Sequence, residues 1–528
     1  MWPGVGPWPP ASVVGSVTAA LLAAAVIARH FIPRLWSSSG IIKPRRGTAS
    51  GAAGSAARVP AGSLGWPLLG ETPAFILAAY SPRPESFVER RRLLYGKVFT
   101  SHLWGSPAVV SSDPEVSRAV LQADASAFVP WYPRSLMELM GQSSILVLGG
   151  ALQRRLHGLA GAFLKSPQLK ARVTAGMQRR VGRAMDAWRR RSNGGGGAPT
   201  VVRIQDEAKS IVFEILVKAL IGLDEGHEMQ YLRQQFQEFI AGLISLPIKL
   251  PGTQLYRSLK LRMRVCGIEN YKKKAKKRMT KLIQKIIQEK RRKRIITEGE
   301  DPHGATHPRD MIDVLLGNGS DELTDELISD NMIDFMIPAE DSVPVLITLA
   351  VKYLSECPLA LQQLEEENME LKRRKSETLE WTDYMSLTFT QHVITETLRM
   401  GNIINGIMRK AVRDVEVRGH LIPKGWRVLV YFRAVHLDAA VHGDPHAFNP
   451  WRWKERADVT TGGGGGGFTP FGGGQRLCPG LDLARLEASI FLHHLVTDFR
   501  WVAEEDAVVN FPTVRLRRGM PIAVTPRT

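Results

Sequence analysis

The sequence is poor in cysteine, in aromatic side chains and in anything that would divide it. Three cysteines, Cys266, Cys357 and Cys478, stand in 528 residues. So sparse and odd a count builds no disulfide framework and suits a reducing compartment. Cations exceed anions by 70 Lys and Arg to 51 Asp and Glu, which invites a nucleic-acid reading. The excess gathers in one helical stretch, Lys272 to Arg294, without the interleaved aromatics that would stack on bases. A solvated helix face suits that run better, and no nucleic-acid partner is expected. No linker interrupts the middle of the chain and no repeat recurs, so one large domain is expected. The run Gly462–Gly467 lacks the Lys-Ser/Thr and helix start of a phosphate loop. Like Gly194–Gly197, it reads as a surface-loop insertion.

What the N-terminus lacks is charge. Ala11 to Ala28, ASVVGSVTAALLAAAVIA, carries none, and its length reaches the roughly 18-residue threshold for a membrane span. Nothing basic precedes it, while Arg29, Arg34, Lys43, Arg45 and Arg46 follow. That bias keeps the following chain in the cytosol, whereas a cleaved signal peptide would carry its cations first. Residues 1–36 are therefore read as a membrane anchor with its basic flank. Residues 37–72, rich in Gly and Pro, form a stiff irregular hinge, and 73–528 the catalytic body.

Helical patterns dominate that body: Leu152–Leu164, Asp206–Leu223, Met229–Ile244, Leu259–Arg294, Thr324–Glu356, Leu359–Arg373, Phe389–Met400 and Leu481–Thr497. Strand patterns are fewer: Val98–Leu103, Ala108–Ser111, Ile407–Arg409, Val415–Val417 and Arg427–Tyr431. The expected fold is mainly α with a small β region.

The densest signal is Phe471-Gly-Gly-Gly-Gln-Arg-Leu-Cys-Pro-Gly480, followed by a helix rich in Leu and Ala. A helix N-terminus and nearby backbone N–H groups favour an anionic sulfur. Glycines let the backbone approach a flat ligand, Arg476 offers that ligand a cation, and Phe471 screens the sulfur from water. The segment resembles the haem-binding signature of the cytochrome P-450 family, Phe-x-x-Gly-x-Arg-x-Cys-x-Gly, complete at Phe471, Gly474, Arg476, Cys478 and Gly480. The resemblance implies the cytochrome P-450 fold, haem b held by Cys478 as iron ligand, and dioxygen as co-substrate. It also implies electrons from NADPH through NADPH–cytochrome P-450 reductase.

Upstream, Glu396-Thr-Leu-Arg399 places two charges on one helix face, and Phe448-Asn-Pro-Trp-Arg-Trp453 follows. The pair resembles the family's Glu-x-x-Arg helix and its later Pro-x-Arg segment. That implies a buried network of Glu396, Arg399 and Arg452 serving folding and haem retention. Arg409 matches a further propionate contact. Where the family has Trp-x-x-x-Arg, this chain reads Gln153-Arg-Arg-Leu-His157, with Arg154, Arg155 or His157 as the substitute.

Over the distal face the family places a central helix with an acid followed by threonine. Here the stretch is Ile337-Pro-Ala-Glu-Asp-Ser342, with Pro338 in place of glycine and Asp341 in place of threonine. Pro338 opens the turn by removing a backbone hydrogen bond. Glu340, Asp341 and Ser342 are then the expected proton relay. The departure leaves room for a reductase-independent haem-thiolate isomerase, against which the haem loop carries no insertion.

Gly65–Thr72, His157–Lys165 and Phe468–Gly480 are similar to the plant brassinosteroid-biosynthetic branch. The Pro-x-Glu-x-Ser pattern is similar to members acting near C-23 of the sterol side chain. This implies a sterol substrate, C-22-hydroxylated or related, with C-22 hydroxylation and C-3 oxidation as alternatives. It also implies an endoplasmic-reticulum location, with the body facing the cytosol. Family position makes Phe335, Met336, Ala339, Ile403, Ile404 and Met520 the pocket walls.

Overall fold

The computed structural model describes residues 41–42, 57–66, 69–194, 200–243, 268–300, 308–318, 322–375, 378–455, 467–511 and 513–527. The expected anchor, nearly all of the hinge before Ala57 and most of both glycine runs lie outside them. Among the described residues no single helix is long and apolar enough to cross a membrane.

Helices form most of the body, and their limits follow local chemistry. Pro167, Pro338, Pro344 and Pro358 each stand in the first turn of a helix, where a missing N–H leaves no bond unmade. The helix Ile204–Ile221 is buried almost all round and ends on Gly222 at φ 73°, a left-handed position that glycine adopts without strain. It packs against the central helix, which comes in three pieces: Asp325–Met336, Pro338–Asp341 and Val343–Glu356. The helix Leu481–Asp498 packs against Pro167–Gly194 and closes the core from the other side.

The strands stand to one side. The larger sheet has seven, in the order Ile41–Ile42, Gly62–Ser63, Val98–Leu103, Ser106–Ser111, Arg427–Val430, Ile407–Ala411 and Phe128–Pro130. Arg427–Val430 lies parallel to Ser106–Ser111, with Val428 opposite Val109, and antiparallel to Ile407–Ala411. A second sheet joins Phe499–Ala503, Pro521–Pro526 and Thr200–Arg203. The strand pattern of the sequence did not extend to any of its three members.

The expected 324–356 helix is broken twice, at Ile337 and at Ser342. Pro338 has no N–H for the Asp334 carbonyl, which instead takes a bond from Ile337 N at 3.2 Å. Pro344 likewise has none for the Glu340 carbonyl. Ser342 departs from helical geometry between them, at φ −129° and ψ −72°.

Candidate active site

Cys478 lies three residues before the first residue of the helix Leu481–Asp498, at its positive end. Its amide donates to the Phe471 carbonyl at 3.0 Å, closing the loop around the sulfur. The loop depends on Gly474, at φ 65°, where a Cβ would come within 2.3 Å of the Leu121 carbonyl oxygen. Burial pushes the Cys478 thiol up, opposed by the Gly480 amide. A coordinated cation deprotonates such a thiol outright.

Arg476 donates to the carbonyls of Ile145, at 3.0 Å, and Leu148. Burial pushes its guanidinium down to about 10, with Arg409 adding like charge. Arg409, on the strand Ile407–Ala411, is buried and also lowered by desolvation. Among the described residues neither arginine has a carboxylate partner. Both line one cavity with Gln153, whose Nε2 is buried and has no hydrogen-bond partner. Two unneutralised cations and an orphaned donor around one cavity suit the two propionates of haem, and the half-buried thiol of Cys478 suits its iron.

Gln153 was not among the expected substitutes, and the arginines beside it point elsewhere. Arg154 is exposed and outside the cavity lining. Arg155 bonds Asn318 Oδ1 at 2.8 Å and pairs with Glu322. His157 meets the Leu477 carbonyl through Nε2 at 2.7 Å, so it braces the cysteine loop rather than the cavity. The helix pattern carried the signal: Gln153, Leu156, Ala160 and Phe163 form the buried stripe of Gly150–Lys165.

The structure brings the three charges of the expected network together. Arg399 Nη2 lies 2.8 Å from Glu396 Oε1, and both side chains are wholly buried. Arg452 Nε donates to the same oxygen at 3.0 Å, and Trp453 Nε1 to Oε2 at 3.0 Å. Arg399 Nη1 donates to the carbonyls of His436 and Pro445, at 3.0 and 2.7 Å. The network thus ties the helix Thr388–Gly401 to the chain that leads into the cysteine loop.

Between the two breaks of the central helix, Glu340 is buried and pairs through Oε2 with Lys209 Nζ at 2.7 Å. Its Oε1 has no partner. Lys209 was not anticipated from the sequence; it comes from the helix Ile204–Ile221 and its side chain stays 24% exposed, so it reaches solvent. Burial pushes the Asp341 carboxyl up, opposed by Lys209 and assisted by Glu340, with Arg515 also nearby. Ser342 stands at the second break.

Of the expected walls, Met336 and Ala339 are fully buried, and Phe335 and Ile403 half-buried. Ile404 is 49% exposed and turns largely to solvent. Met520 sits where the second sheet meets the helix Ile204–Ile221, its carbonyl accepting from Ile204 N at 3.1 Å. That junction makes it a packing residue. The hairpin Val508–Val509 and Arg515–Leu516 approaches the central helix instead, with Arg515 beside Asp341.

The cytochrome P450 family profile matches residues 60–518. The chain is 70% identical over 526 residues to "Cytochrome P450 90D2" of Brachypodium distachyon, covering 99% of this chain and 94% of that one. It is 54% identical over 468 residues to the "3-epi-6-deoxocathasterone 23-monooxygenase" CYP90D1 of Arabidopsis thaliana, covering 88% and 89%. Among solved structures, "Retinoic acid bound cyanobacterial CYP120A1" shares the fold, with a TM-score of 0.70 at 21% identity, covering 89% of this chain and 99% of that one. With the cysteine loop, the arginine-lined cavity and the broken central helix in one body, the chain belongs to the cytochrome P450 family and is a monooxygenase.

Proposed function

We propose that the chain hydroxylates a brassinosteroid intermediate on its side chain near C-23, with dioxygen and with electrons passed from NADPH by NADPH–cytochrome P-450 reductase. The observation that carries this reading is the similarity to the Arabidopsis 23-monooxygenase along most of both chains.

Cys478 would hold a haem through its iron, and Arg409, Arg476 and Gln153 would meet its propionates. The bound group would supply dioxygen activation, with one oxygen atom entering a C–H bond and the other leaving as water with the uptake of two electrons and two protons. The chain's own part is to hold the substrate, exclude water and move the protons. A proton entering at Lys209 Nζ passes to Glu340 Oε2, 2.7 Å away. From Glu340 it moves toward Asp341, whose carboxyl is pushed up by burial so that it holds a proton more firmly than a free carboxyl does. The half-buried Phe335 and Ile403 would be the apolar walls that meet a sterol body.

The membrane is the proposed second partner. Residues 1–36 anchor the chain in the endoplasmic reticulum, with the body in the cytosol where the reductase and the bilayer-dissolved sterol both reach it.

Reductase-supplemented microsomes carrying the protein should convert C-22-hydroxylated campestane-type sterols to products gaining one oxygen at C-23. Products oxidised at C-3 or C-22 instead would replace this reading by one of the alternatives. Turnover without NADPH would point to the isomerase class.

A further inference from the structure

Asp334 lies one helical turn before the first break of the central helix, in the piece Asp325–Met336. It is 6% exposed, and its Oδ2 is buried with no hydrogen-bond partner among the described residues. Its neighbours Asn331 and Asp330 on the same helix are both engaged. Asn331 accepts from Ile145 N at 2.8 Å and donates to the Ser143 carbonyl at 2.9 Å. Asp330 pairs with Lys276 at 2.9 Å. The same loop holds Arg476 through the Ile145 carbonyl. So the helix, the loop Ser143–Leu148 and the cysteine loop form one braced wall, and Asp334 leaves one acceptor in it unused. Burying such an acceptor unmatched is costly.

The occupant must bring a donor. Haem propionates are acceptors, and the donors they need are already gathered at Arg409, Arg476 and Gln153. A sterol hydroxyl is a donor. Ile337–Ser342 marks the oxidation end of the site, and Asp334 is three residues before it, about 4.5 Å along a helix. The C-3 hydroxyl lies across the four-ring system from the carbon being oxidised, so it is too far. A hydroxyl on the neighbouring side-chain carbon is at the right end.

We propose that Asp334 is a specificity-determining residue that accepts a hydrogen bond, through Oδ2, from the hydroxyl on the side-chain carbon next to the one oxidised. The assignment rests on the sterol reading above and deepens it. Burial, opposed by the Ser144 hydroxyl and by Lys276, pushes the Asp334 carboxyl up to about 7, with Asp330 adding to the rise. Such a carboxyl accepts when ionised and donates when protonated. A hydroxyl satisfies both states, and a ketone only the second.

Substrate-induced spectral shifts of the haem-loaded protein test this with campestane-type sterols bearing hydroxyl, oxo or hydrogen at C-22. The wild type should bind the 22-hydroxy sterol at least about tenfold more tightly than the 22-deoxy sterol, the scale of one charge-assisted hydrogen bond. Asp334→Leu should lose that preference while keeping its carbonyl spectrum and its affinity for the 22-deoxy sterol. An unchanged preference, or equal losses for both sterols, overturns the assignment. A second arm uses the wild type alone, with Ser144, Lys276, Asp330 and Tyr132 as the groups facing Asp334. Between pH 6 and 8 the Kd of the 22-oxo sterol should rise several-fold while that of the 22-hydroxy sterol stays level. Parallel profiles overturn it as well. A wild type that shows no shift with any of these sterols rejects the sterol reading itself.

Discussion

At Cys478 burial, which pushes the thiol up, is opposed by the Gly480 amide and the positive end of a helix. Cys357, the other described cysteine, stands at the start of the helix Pro358–Arg374, with no glycine loop around it. Cys478→Ser should therefore abolish the red-shifted Soret band of the reduced carbonyl complex together with turnover, leaving the fold's far-ultraviolet dichroism intact. A variant that keeps the band would move the ligand to another cysteine. The cysteine loop was legible because each of its residues serves a local need that a short motif can spell out. Gln153 was not, because the expectation there was a cation. A neutral amide does the work only in company with Arg409, which arrives from a strand more than 250 residues away. Helical phase alone would have chosen Gln153 over Arg154, since only the former falls on the buried stripe.

Among the elements, the strands Val98–Leu103 and Val415–Val417 have the bounds that their β-branched runs indicate. The second sheet escaped notice for physical reasons. Phe499–Ala503 continues directly from a helix buried almost all round, with no turn residue between them to mark the change. Thr200–Arg203 is four residues long and is held only by pairing with Pro521–Pro526 across the sequence. The central helix was legible as a helix and its first break from Pro338, but the second break needs Pro344, which reads as a mere apolar residue until the Glu340 carbonyl is seen to lack a donor. The two breaks set Glu340 and Asp341 in a short helical piece of their own, where Glu340 pairs with Lys209. Pro344→Ala returns an N–H to that carbonyl and should leave thermal stability unchanged or raised. If the proposed relay holds, it should also lower product formed per NADPH consumed and raise peroxide release, because Glu340 and Asp341 turn with the healed helix. Unchanged coupling would show that the break is packing and not chemistry.

For the molecule as a whole, fold and family were readable because one contiguous loop is diagnostic, whereas the proposed attachment to the bilayer rests on two separate features. The first is the uncharged run Ala11–Ala28 with its basic flank. The second is visible only in the folded body. Trp66 is 62% exposed, Leu77 75% and Tyr80 49%, so large apolar side chains crowd the surface at and beside the helix Thr72–Ala79. A few exposed apolar residues so close to an N-terminal anchor are well placed to dip into the headgroup region. Their contribution should outlast loss of the anchor. Deleting residues 1–36 is expected to convert carbonate-resistant membrane binding into a partial association, with the carbonyl spectrum retained. Adding Trp66→Ser and Leu77→Ser to the truncated protein should then release most of it to the supernatant. In intact microsomes carrying the full chain, added protease should digest the body from outside. Protection of the body would reverse the orientation. Full release on truncation alone would leave the exposed residues with no part in holding the membrane.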